Sequence, residues 1–155
     1  RNFPNLCTTH SFEDKVNSIR AAQSAGLSLC SGGIMGLGES LEDRIDMAFS
    51  LRDLGIKSVP LNLLNPIPGT PLENVERLQE EDFQRIVALY RFILPDASIR
   101  LAGGRGLLSD GGRACFASGA NAAITGDMLT TVGITVATDK QLIEELGYKV
   151  GFSHE

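Results

Sequence analysis

The sequence is short of several things, and each shortage narrows what the chain can be. No run of about 20 apolar residues occurs, so no membrane partner is expected. No basic stretch followed by an apolar one stands at the front, so a secretory leader is not expected. Basic residues are outnumbered: 14 Lys and Arg face 19 Asp and Glu, for a net charge of −5. A protein that grips a phosphate backbone usually carries the opposite balance, so nucleic acid is not an expected partner either. Histidine occurs only at His10 and His154, and neither falls into a zinc-type spacing with a cysteine. The 3 cysteines, Cys7, Cys30 and Cys115, are an odd number at unrelated spacings. That is no disulfide framework, and a reducing cytoplasm is the expected compartment. The serine-nucleophile elbow, the G-x-G-x-x-G turn and the P-loop are missing as well.

What is present is 155 residues with 43% apolar content, enough for one domain with its own core. Ser11 is placed to cap a helix over 12–25, with Phe12, Val16, Ile19, Ala22 and Ala25 at helical spacing and Gly26 as its stop. Leu27–Cys30 reads as a short buried strand. Ser40 caps a second helix that ends at Gly55. Ser58–Leu64 reads as a second buried strand, and "NPIPGTPLEN" is loop. A third helix is predicted from Glu80 to Leu94, a strand over Ala97–Ala102 and a helix over Gly112–Ser118. A strand over Asn121–Thr125 follows, and then a last helix capped by Thr138 or Asp139 and ending near Gly147.

Strands and helices therefore alternate, and the strands are apolar throughout. That pattern means parallel βαβ units with the sheet covered on both faces. Four strands make either a small open sheet or half of an eight-stranded barrel.

Ligands in such folds gather at the carboxyl ends of the strands, so the polar residues there are the candidates. The first strand ends in Cys30 and a glycine-dense turn, "SGGIMGLGE". Cys30 alone is equally a small core residue. Asn62 is a carboxamide inside an apolar strand and needs partners, which loop backbone would also supply. Arg100, between Ile99 and Leu101, requires an anion, a metal-bound group or a structural ion pair. The glycines of the turn are either plain turn residues or places where backbone amides approach a ligand at a helix N-terminus. Cys7 and Cys115 read as structural thiols.

Four motifs taken together, "CSGGIMGLGES", "SVPLNLLNPIPGTPLEN", "IRLAGGRG" and "CFASGANAAITGDMLTT", resemble the biotin synthase family of radical S-adenosylmethionine enzymes. The opening "NFPNLCTTHSFEDKVNSIRAAQSAGLSLCSGG" fits as well. The resemblance covers essentially the whole chain. It implies the C-terminal half of a TIM-type (β/α)8 barrel, βα units five to eight, as a single α/β domain over 1–155. It implies that Cys30 and Arg100 are ligands of a 2Fe–2S cluster, with Ser58 near it. Asn62 would hydrogen-bond dethiobiotin, and Gly33, Ile34, Met35, Gly36 and Leu37 would lie against the adenosyl part of S-adenosylmethionine.

The implied activity is that of a sulfurtransferase, the insertion of sulfur into dethiobiotin to form biotin. A 4Fe–4S cluster would reduce S-adenosylmethionine, and flavodoxin or ferredoxin would donate electrons to a homodimer. The 4Fe–4S cysteine motif and two further 2Fe–2S cysteines of the family are missing from this sequence. Ala122 stands where many relatives carry serine after "GAN". A start at Arg1 rather than Met is what part of a longer reading frame would show, and this part alone is expected to be inactive. Two alternatives are a sister radical enzyme on another small substrate and a non-catalytic α/β binding domain.

Overall fold

The computed structural model describes residues 7–127 and 133–151. Residues 1–6, 128–132 and 152–155, His154 among them, lie outside that range, and with them part of the segment expected to be loop after the fourth strand. Among the described residues five α-helices and four strands alternate: α1 Phe12–Ser24, β1 Gly33–Met35, α2 Leu41–Asp53, β2 Ser58–Leu63, α3 Glu80–Ile93, β3 Ser98–Leu101, α4 Arg113–Ala117, β4 Ala122–Ala123 and α5 Val136–Glu145. A single 3-10 turn, Arg105–Leu107, follows β3.

The helices start where local chemistry says they should. Ser11 and Asp14 make a capping box on α1, and Ser40 and Asp43 make another on α2. Each satisfies backbone donors that the helix itself leaves unpaired. Thr135, not Thr138 or Asp139, caps α5. Asp139 lies inside that helix and is turned inward, because a buried arginine claims it.

The four strands form one parallel sheet in the order β1-β2-β3-β4. Each strand lies beside its predecessor, with no reversal of order of the kind a doubly wound sheet has. β1 starts six residues later than expected, at Gly33 and not Leu27. Leu27 is 62% exposed, and Cys30 makes only an isolated bridge to Ser58. The strand begins where glycine lets it dock. A Cβ on Gly32 would stand 2.0 Å from the Pro60 carbonyl oxygen, so this close approach to β2 is open to glycine alone.

Only one face of the sheet is fully covered. Along β2 and β3, buried and half-buried residues alternate strictly. Met35, Val59, Leu61, Leu63, Ile99 and Leu101 face the helices and are at most 3% exposed. They meet Ala48 and Leu51 of α2 and Phe83, Ile86, Val87 and Tyr90 of α3. Each such side chain contributes about 1.5–3 kcal/mol by leaving water. The expectation of two covered faces is therefore corrected: the sheet has a packed face and a half-open one. α1 contributes little to the core; none of its residues is buried, and Ile19 alone among them packs against it.

Candidate functional site

The half-open face carries the polar residues singled out from the sequence. In a parallel sheet, neighbours in register point the same way. The register pairs Cys30 with Ser58, Ile34 with Asn62, Pro60 with Arg100, and Arg100 with Ala122. Cys30, Ile34, Ser58, Asn62 and Arg100 thus share one wall.

At the amino end of this wall a thiol, a hydroxyl and a guanidinium meet. Ser58 Oγ donates to Cys30 Sγ at 3.4 Å, and Arg100 Nη1 reaches the same sulfur at 3.8 Å. Cys30 is free and exposed. Arg100 is half-buried, not enclosed as its apolar neighbours led one to expect, because Ile99 and Leu101 occupy the other face. Cys30 and Ser58 lie at the entry side of the sheet, ahead of β1 and at the start of β2, while Arg100 is the next-to-last residue of β3. The expectation for Cys30 is corrected by the later start of β1.

Asn62 sits four residues further along β2, about 13 Å up the strand from Ser58. Its Oδ1 accepts from the Gly103 N–H at 2.8 Å, and its Nδ2 donates to the Gly33 carbonyl at 3.2 Å. It stitches the first residue of β1 and the turn after β3 to β2. A carboxamide can make four hydrogen bonds, so one N–H and one lone pair remain for another group.

Gly33–Leu37 is strand and turn together. Met35 points into the helix layer and is fully buried, so its side chain takes no part in the open wall. Ile34, 46% exposed, presents the apolar surface there. Two of the turn's amides are already taken. Glu39, which the sequence reading passed over, accepts from the N–H groups of Gly36 at 2.8 Å and Leu37 at 2.6 Å. Its Oε1 also meets Arg44 Nε at 2.7 Å. With the Ser40–Asp43 box on α2, these contacts close the turn to an anion; what remains open is apolar contact.

A second group missed in sequence is Arg105, in the glycine-rich loop after β3. Its guanidinium meets the Asp139 carboxylate through two bonds, Nη1 to Oδ2 at 2.9 Å and Nη2 to Oδ1 at 2.5 Å. Nε donates to the Gly111 carbonyl at 2.9 Å, and the group stacks 5.5 Å from the Phe116 ring centroid. Both charges are buried. The pair ties α5 to the loop whose Gly103 holds Asn62. An arginine isolated among glycines was the available signal.

Cys115 is buried as expected, and burial pushes its thiol up to about 12. Tyr90, sunk in the core, has its hydroxyl pushed above the usual range by burial and donates to the Arg44 carbonyl at 3.0 Å. Among the described residues no three His, Cys, Asp or Glu side chains come together as a metal-holding group. No described helix is long and apolar enough to cross a membrane.

A parallel sheet with one packed face and one polar, half-open face defines an α/β protein whose candidate site is the open face of the sheet. The family model "Biotin and Thiamin Synthesis associated domain" matches residues 60–149, and the chain belongs to that family. It is 66% identical over 148 residues to the biotin synthase of Brachyspira hyodysenteriae, across 96% of this chain and 44% of that protein. It is 60% identical over 152 residues to biotin synthase 2 of Corynebacterium diphtheriae, across 98% of this chain and 46% of that protein. The chain thus spans less than half the length of these curated relatives. The crystal structure of methylornithine synthase superposes with a TM-score of 0.73 over 93% of this chain and 47% of that one. At 21% identity this likeness shows the fold. The resemblance to biotin synthases read from the four motifs is borne out.

Proposed function

We propose that this chain supplies βα units five to eight of the (β/α)8 barrel of a biotin synthase, as one domain over 1–155. Strands that each lie beside the one before are what a barrel wound in sequence order needs. β1 and β4 are the two edges where further strands would join. The whole protein is then a cytoplasmic sulfurtransferase that converts dethiobiotin to biotin. It would act as a homodimer fed with electrons by flavodoxin or ferredoxin.

The observation that carries this reading is the convergence of Ser58 and Arg100 on Cys30 Sγ. Thiolate is the ordinary donor to an iron–sulfur cluster, and an exposed, unpaired thiol on the inner wall fits that role. Cys30 and Arg100 would hold part of a 2Fe–2S cluster, with the other donors and the 4Fe–4S ligands elsewhere in the full-length protein. When bound, the two clusters and S-adenosylmethionine supply radical chemistry and the sulfur atom.

The residues of this chain position the parts. Ser58 steadies the thiol. Asn62 offers its remaining N–H and lone pair to the ring amide groups of dethiobiotin. Gly33, Ile34, Met35, Gly36 and Leu37 form the strand and turn beside the adenosyl group, with Ile34 as the side chain in contact. Arg100 lies two strand positions below Asn62, about 7 Å, so substrate and cluster would be neighbours on one wall.

The test is turnover by the full-length protein, reconstituted without oxygen with iron and sulfide. It is given dethiobiotin, S-adenosylmethionine and a reductant. Biotin together with 5′-deoxyadenosine supports the reading. 5′-Deoxyadenosine without biotin assigns the chain to a sister radical enzyme. Neither product, with both clusters assembled, overturns the reading.

A further inference from the structure

The three cysteines stand in three different surroundings. Cys30 faces the inner wall and Cys115 is buried in α4. Cys7, on the segment that leads into α1, lies against an imidazole. Its Sγ is 3.4 Å from His10 Nδ1 and 3.7 Å from Nε2. The Thr9 hydroxyl bridges the two, 3.5 Å from the sulfur and 3.0 Å from Nδ1.

We propose that Cys7 and His10 form a thiol site that reacts with hydroperoxides, separate from the Cys30 wall.

Sγ is almost equally far from both ring nitrogens and so lies off the lone pair of either; the Thr9 hydroxyl, within reach of both the sulfur and Nδ1, is the path for a proton, and a metal would find no aligned donor pair here. No third His, Cys, Asp or Glu joins the pair among the described residues. The surroundings favour the thiolate. Hydrogen bonds from the Thr9 side chain, then from the Thr9 and His10 backbones, hold the Cys7 thiol below its usual range, and the Lys15 charge adds to this. Among the described residues α1 brings charge to the pair: Lys15 beside the sulfur, and Asp14, which lies by His10 and is held by Ser11. Cys7 is only partly buried, so a small peroxide can reach it. An activated, accessible thiolate beside a proton acceptor is the setting in which cysteine oxidises selectively.

The step balances. The thiol passes its proton to the Thr9 hydroxyl, which hands its own to His10 Nδ1. The sulfur attacks one peroxide oxygen; the S–O bond forms as the O–O bond breaks. The departing hydroxide takes the proton back from His10 and leaves as water. Sulfur loses two electrons, the peroxide gains them, and Cys7 becomes a sulfenic acid.

The experiment treats the full-length protein with hydrogen peroxide and traps sulfenic acid with dimedone. Each cysteine peptide is read by mass spectrometry. Cys7 is expected to be trapped at least about tenfold faster than Cys115 at pH 7. The variant His10→Gln should slow trapping at Cys7 about tenfold at pH 7. Iodoacetamide alkylation of Cys7 in wild type and variant should converge at about pH 10, where any exposed thiol is ionised. Convergence there shows that the variant keeps its fold and the thiol its access. Equal trapping of Cys7 in wild type and variant at pH 7 would overturn the proposal. The readout needs no turnover, so it stands or falls independently of biotin formation.

Discussion

Arg100 Nη1 lies 3.8 Å from Cys30 Sγ although 70 residues separate them in the chain. The contact exists because β3 places Arg100 beside Pro60 of β2, while the bridge to Ser58 brings Cys30 to the same strand. A sulfur with a cation and a hydroxyl donor beside it is a poor core residue and a good metal donor. In the full-length protein, Cys30→Ala should abolish 2Fe–2S absorption and biotin formation while S-adenosylmethionine binding persists. Wild-type cluster content in that variant would remove the assignment.

The Arg105–Asp139 pair should matter for stability. Removing one partner strands a buried charge, so Asp139→Ala should cost about 3–5 kcal/mol in denaturant unfolding. Replacing both, as in Arg105→Met with Asp139→Leu, should cost much less, because no unpaired charge is left. If the single and double variants lose the same amount, the pair is not the strut that anchors α5.

Much of the fold was legible because its signals are local. Capping boxes at Ser11 and Ser40 and the apolar spacing of α3 lie within a few residues of each other. β1 was not legible: Leu27–Cys30 is the more apolar run, yet pairing with β2 starts where Gly32 lets the backbones meet. The site divides in the same way. Cys30, Asn62 and Arg100 stood out as polar residues in apolar strands. Their arrangement on one face, with Cys30 at the amino end, depends on register, which no single segment encodes. Glu39 carried no signal in the sequence, because its part in closing the turn ahead of α2 depends on how the chain doubles back there. Arg105 and Asp139 are 34 residues apart, and only the packing of α5 joins them.

Cys115 gives a pH-dependent signature. Burial is the largest cause of its raised thiol pKa, followed by Asp110 and Glu80. Its folded value, about 12, exceeds the ordinary 9.0. The neutral thiol therefore stabilises the fold fully below about pH 9, and that share is lost as pH rises toward 12. At pH 8, iodoacetamide should leave Cys115 unmodified until denaturant unfolds the protein. Rapid alkylation of Cys115 in the native state would contradict its burial.

Gly104 tests the link between the backbone and the substrate contact proposed for Asn62. Its φ is +79°, and a Cβ there would stand 2.0 Å from the Leu63 carbonyl oxygen. Leu63 N–H also donates to the Gly103 carbonyl at 2.8 Å, and Gly103 N–H donates to Asn62. Gly104→Ala must push the turn off the end of β2, beyond the about 1 kcal/mol that a left-handed alanine costs by itself. Asn62 then loses its Gly103 partner. The full-length variant should show a KM for dethiobiotin raised well beyond any change in its KM for S-adenosylmethionine. Equal rises for both would mean that the turn holds the whole wall and not Asn62 in particular.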